Sequence, residues 1–265
     1  MASIFKIRKL KQKQVRLVFP TGLLLVYGVI MARKRVSTTS WSYNSVRVKS
    51  NEEIKDLLCK SANAYSLICD KEVMFIYRRN KEDAEYKYYI VNCKKENFIH
   101  LVGCAVNKYV DAKKFYEECI NHATAPLQDD HITYKESKKT ASAKLEVFPS
   151  LFDYKGVKAY RMGAHNKITI NNQFEMALGN NKGVLGFDRR KENMVPVPVT
   201  MLNGIIGDYA TDYSNVIAVL VKNHGEVKFK QVIGCVNKGI AVNELPLSVR
   251  DKIDYGDDEK IMKPQ

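Results

Sequence analysis

Apolar positions recur at three- and four-residue intervals over residues 51–70 (NEEIKDLLCKSANAYSLICD), where Ile54, Leu57, Leu58, Ala62, Tyr65 and Ile68 share one face. That spacing predicts an amphipathic helix. Ser50 stands in N-cap position and Glu53 follows three residues later, the arrangement of a capping box. The pattern then changes. Residues 73–79 (VMFIYRR) and 86–93 (YKYYIVNC) are β-branched and aromatic runs around a polar stretch at 80–85, which predicts two strands and a turn. Residues 97–103 predict a third strand, ended by Gly103, and 111–122 a second helix with Asp111 as its cap or first-turn acid. Phe115, Cys119 and Ile120 mark that helix's buried face.

The segment 126–140 is polar and reads as exposed, while 141–154 fits either helix or strand and is broken at Pro149. Beyond Gly156 the pattern shortens to strand-like runs at 157–162, 167–170, 183–187 and 194–199. Residues 216–221 and 227–236 predict a closing hairpin across Asn223-His224-Gly225. Residues 241–253 read as a short helix or loop interrupted by Pro246. Helices first and antiparallel strands afterwards predict an α+β fold, with N-terminal helices packed on a central antiparallel sheet.

A hydrophobic content of 45% is enough for a substantial core and argues against bulk disorder. The net charge of +14 suggests a nucleic-acid partner until its distribution is considered. Residues 1–48 hold ten Lys and Arg and no Asp or Glu, leaving only +4 for everything downstream. Such a body lacks the broad field of a general nucleic-acid coat protein. The chain therefore divides into a basic and apolar extension at 1–48, an α+β domain at 49–253 and a tail at 254–265 expected to fray. Within the extension, Leu17 to Ala32 forms a run of about 16 largely apolar residues containing Pro20, Gly22 and Gly28, short of the ~20 a membrane span needs. An anchor, a signal peptide and a dispensable gene-start extension ahead of Met31 are the three readings, and the last is favoured. A cytoplasmic location follows from it, with membrane association through 17–32 as the alternative. Cys59, Cys69, Cys93, Cys104, Cys119 and Cys235 form no C-x-x-C pair and no zinc-like cluster, so they read as reduced structural thiols.

Four blocks follow one another in a definite order: FIHLVG at 98–103, DAKKFYEECI at 111–120, LEVFPSLF at 145–152 and GVLGFDRRKENMVPVPVTML at 183–202. Their order and spacing over roughly residues 50–240 resemble a family of phage-encoded proteins named for likeness to barnase, EndoU, colicin and RelE nucleases, the fourth type in that series. The resemblance implies a barnase/RelE-like core with insertions and metal-free cleavage of RNA. Where that family has Thr in its His-Leu-x-Gly block, this chain has Val102.

RNA cleavage by the substrate's own 2′-hydroxyl needs a base, an acid and a cation or donor set for the phosphorane charge. His suits the first two roles because it titrates near neutrality, and Arg or Lys suits the third. His100 is the sharpest catalytic candidate. Strand alternation would place it with Phe98 and Val102 on one face. Arg161, in AYRMG, and Thr169, which alternates with Lys167, complete the catalytic set. Lys167, His165, Arg189 and Arg190 are the candidates for holding RNA. No metal ligand set, P-loop, dinucleotide fingerprint or nucleophile elbow is present, and no cofactor is expected. The leading reading is a metal-independent endoribonuclease with RNA as partner. Two others compete with it: a catalytically silent protein that binds and inhibits a host defence protein, such as a CRISPR component, and a membrane-tethered regulator. An enzyme should bring His100 and a basic residue together in one cleft, whereas a silent binder should show an exposed apolar or charged surface with His100 buried.

Overall fold

In the computed structural model, residues 47–79, 85–124, 126–165, 174–192, 194–256 and 260–261 are described. Helix α1 (Asn51–Ser66) begins as its sequence demands. Ser50 Oγ accepts from the Glu53 amide at 3.2 Å, and the Glu53 carboxylate accepts from the Ser50 amide at 2.8 Å. These bonds satisfy amides that the first turn would otherwise leave unpaired. Its apolar stripe, Ile54, Leu58, Ala62 and Tyr65, is fully enclosed. Burial of each large member is worth roughly 1.5–3 kcal/mol.

Strands β1 (Lys71–Arg78) and β2 (Lys87–Cys93) pair antiparallel, with Phe75 opposite Tyr89. The segment expected to be a third strand is instead helix α2 (Lys95–Leu101). Two local groups decide this. The Asn97 side chain accepts from the Lys94 amide at 2.9 Å and starts the helix, and Gly103 at φ +79° stops it. Phe98, Ile99, Leu101 and Val102 are all enclosed, so no alternation of faces exists here. The strand that follows is only Cys104–Ala105 (β3).

Helix α3 (Ala112–Ile120) starts at Asp111, whose carboxylate accepts from the Lys114 amide at 2.8 Å. Thr133–Tyr134 (β4) pairs with β3, so the segment read as exposed carries a short ladder. The ambiguous stretch resolves into helix α4 (Lys138–Val147), capped by Ser137, and a 3-10 turn at Phe148–Leu151 that accommodates Pro149 in its first turn. A second 3-10 segment, Tyr154–Ala159, occupies the first half of the strand expected at 157–162, and β5 begins only at Arg161 (Arg161–His165). Strands β6 (Met176–Gly179), β7 (Gly183–Asp188), β8 (Val197–Asn203), β9 (Ala210–Asn223) and β10 (Gln231–Cys235) follow. Strand β6 has no counterpart in the sequence reading. The tail expected to fray pairs back through β12 (Lys260–Ile261) on β11 (Ile240–Ala241), around a short helix α5 (Leu247–Arg250).

The main sheet is antiparallel in the order β2-β1-β9-β5-β6-β7-β8, with β10 also on β9. One edge of β9 pairs with β1, while the other pairs first with β5 and then with β10. The sheet curls until its outer strands meet, and the Asn92 amide donates to the Pro196 carbonyl at 2.8 Å. One face, including Val73, Phe75, Val91, Leu185 and Phe187, packs under the helices. On the other face, Met74, Ile76, Ala218 and Leu220 are covered by Phe229, Ile240, Leu245, Val249 and Ile253 from the C-terminal segment.

Candidate functional site

Phe98 locks helix α2 in place. Its ring lies 5.8 Å from Tyr65, 6.2 Å from Phe115, 5.3 Å from Tyr116 and 5.6 Å from Phe148, a cluster that draws on α1, α3 and the 3-10 turn. Aromatic pairs in such geometries are each worth ~0.5–1.5 kcal/mol beyond their burial. Two residues on, about 200° around the helix, His100 points the other way and is exposed.

The charge state of His100 follows from its surroundings. Its place in the last turn of α2 would favour protonation. Partial loss of hydration works against this, and the positive charges of Lys135 and Arg190 add to it, so the pKa falls below the usual imidazole value. The imidazole is therefore held neutral at neutral pH. Lys135 reaches this position because its amide donates to the Gly103 carbonyl at 2.9 Å, just past the helix end. Arg190 lies in the turn between β7 and β8. Both are exposed, and among the described residues neither side chain has a hydrogen bond or ion pair.

The other candidates are placed differently. The Arg161 guanidinium turns back to donate through Nη1 to the carbonyls of Lys158 at 2.6 Å and Tyr160 at 2.9 Å, bracing the entry to β5. Nδ1 of His165 donates to the Tyr209 carbonyl at 2.8 Å, and its ring lies 4.0 Å from Phe174, which belongs to a separate small core with Ala177, Val184 and Ile206. Arg189 Nε donates to Glu175 at 3.0 Å, and that carboxylate also accepts from Tyr89. Thr169 and Lys167 lie outside the described residues. Lys135, in contrast, was missed. In sequence it is one charge in a polar stretch, and only the β3–β4 ladder carries it to Gly103.

Among the described residues, no three His, Cys, Asp or Glu side chains stand close enough to share a metal ion. None of the six cysteines forms a disulfide. Burial raises the Cys69 thiol to about 11 and the Cys104 thiol to about 12, which leaves both unreactive. No helix among the described residues is long and apolar enough to cross a membrane, and the run at 17–32 falls outside them.

Residues 57–233 match the protein family described as phage-Barnase-EndoU-ColicinE5/D-RelE like nuclease4. The chain belongs to this family. The matched span of the nuclease-like domain runs from within α1 to β10 and holds His100, Lys135 and Arg190. It includes Phe229 but ends before Ile240, Leu245, Val249 and Ile253, the other residues that cover the second face of the sheet. No curated protein and no solved structure matches the chain.

Proposed function

We propose that this nuclease-like domain cleaves RNA by metal-independent transesterification, with His100 as the general base. The observation that carries this is the grouping of an exposed, neutral imidazole with two cations that have no protein partner. Unpaired Lys and Arg beside a base are what a phosphodiester requires, because their charges meet the negative charge that develops on the phosphorane. His100 takes the proton of the 2′-hydroxyl, and the resulting alkoxide attacks the adjacent phosphorus. The P–O5′ bond breaks to leave a 2′,3′-cyclic phosphate. The imidazolium can then hand its proton to the departing 5′-oxygen. Arg190 and Lys135 are assigned to the phosphate oxygens. Arg161 is not assigned to the phosphate here, because its Nη1 is turned back onto two backbone carbonyls and it is not among the charges that bear on His100. The silent-binder reading called for an enclosed His100, and the exposure of that residue supports cleavage instead.

Incubating the purified protein with RNAs of varied sequence in EDTA provides the test. Fragments ending in 2′,3′-cyclic phosphate are expected. Intact RNA would remove the reading and leave the host-protein binder in front, with capture of a defined partner from host lysate as its own test.

A further inference from the structure

Lys144 is 7% exposed, and among the described residues it is the one lysine that is buried. Its stem crosses the turn that ends α2. Cδ lies 3.3 Å from where a Cβ on Gly103 would stand, so a side chain at Gly103 would collide with this lysine as well as with the backbone of Ala141. Gly103 in turn accepts the Lys135 amide and donates to the His100 carbonyl. Among the described residues the Lys144 ammonium has no hydrogen bond and no ion pair. Yet it is not among the partnerless polar atoms sealed from solvent, so its tip reaches water. The charged and titratable groups that bear on it are Glu136, Lys135 and Cys104. Burial, with the positive charge of Lys135 adding to it, holds its pKa below the usual lysine range against the upward pull of Glu136 and Cys104.

The covered stem fixes where the ammonium emerges, and among the described residues no protein group takes up the charge it presents to water there. We infer that Lys144 is a phosphate-binding residue of the same site, reaching the phosphodiester from beside Gly103 while His100 and Arg190 approach from the α2 side. This assignment rests on the nucleic-acid reading of the site but not on cleavage itself.

The test uses the full chain and a 2′-O-methyl RNA tetranucleotide, which can bind but cannot be cut by its own 2′-oxygen. Lys144→Met should weaken binding at least about tenfold while melting at or above the temperature of the unaltered chain, since an apolar isostere relieves a buried charge. His100→Ala should bind the tetranucleotide within about threefold of the unaltered chain but cut unmodified RNA at least about 10²-fold more slowly. Should Lys144→Met fail to fold, the Lys144 ¹³Cε resonance of the unaltered chain must shift on adding the tetranucleotide. No shift overturns the inference. Undiminished binding by Lys144→Met overturns it too, whatever the cleavage result. Lost binding in a chain that never cuts RNA would sustain Lys144 and sink the cleavage mechanism. An unaltered chain that does not bind the tetranucleotide would sink both.

Discussion

His100 and His165 are both histidines near arginines, and the protein treats them in opposite ways. At the end of β5, His165 gives its Nδ1 proton to the Tyr209 carbonyl, lies against Phe174 and has its Nε2 sealed from solvent with no partner among the described residues, while Arg161 at the strand's start gives its Nη1 to two carbonyls. At the end of α2, His100 stands open beside Lys135 and Arg190, neither of which has a partner. The residue types are the same, but the availability of their donors and charges differs. A side chain tied to the backbone and shut away from solvent helps to hold a fold together, whereas a charge open at a surface is available to a ligand. That difference is why the proposed chemistry is assigned to the α2 corner and not to the β5 edge.

The sharpest way to break this contrast is to remove both imidazoles in turn. His100→Ala should lower RNA cleavage by about 10³-fold, within the range of a positioned general base, with an unchanged melting temperature. His165→Ala should leave cleavage within about threefold, because loss of a scaffold contact does not touch the transition state. Equal losses in the two variants, measured by initial rates on one RNA, would erase the distinction.

Arg161→Met tests the scaffold side. It should cost about 1.5–3 kcal/mol of stability, the usual loss for hydrogen bonds made by a charged group, and leave the rate of the folded enzyme unaltered. Urea melts beside initial rates separate these quantities, and a rate loss without a stability loss would return Arg161 to the reacting centre.

The smallest effect sharpens the electrostatics. Arg190→Ala should cost about tenfold in rate, less than the 10²–10³ of an enclosed donor, because solvent and salt screen an exposed cation. It should also move the pH profile. With the His100 pKa depressed, the base stays neutral and active below the ordinary value of about 6.5, and the rate falls only as pH drops through the lowered value. Removing the Arg190 charge should shift that acid limb upward. The same sign governs stability. The contribution of an unprotonated His100 is complete above about 6.5 and is lost on acidification through the lowered pKa. An acid limb that stays in place in Arg190→Ala would show that Arg190 does not act on His100.

Much of the scaffold was legible. The helix at α1 carried both its stripe and its cap in the sequence, and the turn at Asn223 closed as expected, with Gly225 at φ +89° and the Glu226 amide donating to the Asn223 carbonyl. Helix α2 was not legible because its central apolar run is enclosed almost all round, and periodicity cannot tell a buried helix from a buried strand. The choice between them was made by the Asn97 cap and by rings from three distant elements around Phe98. The geometry of His100 was not legible, because alternation put it beside Phe98 and Val102 when it stands away from both. The contacts of Arg161 were hidden for a local reason. A guanidinium next to the end of a 3-10 turn finds free carbonyls at once, and nothing in the composition reveals that its Nη1 turns back onto them.

The order of strands in the sheet also sets a timetable. Strand β9 lies between β1 and β5, yet it comes from Ala210–Asn223, after both of its neighbours have been made. Until then a nascent chain holds the β1–β2 hairpin with one long edge unpaired and its apolar residues open to water, the kind of surface that chaperones and stray strands recognise. The sheet is stitched together by contacts far apart in the chain, a topology that slows folding. The sheet is therefore joined into one piece only after β9 has been made, well after the residues of α2 and His100 have left the ribosome.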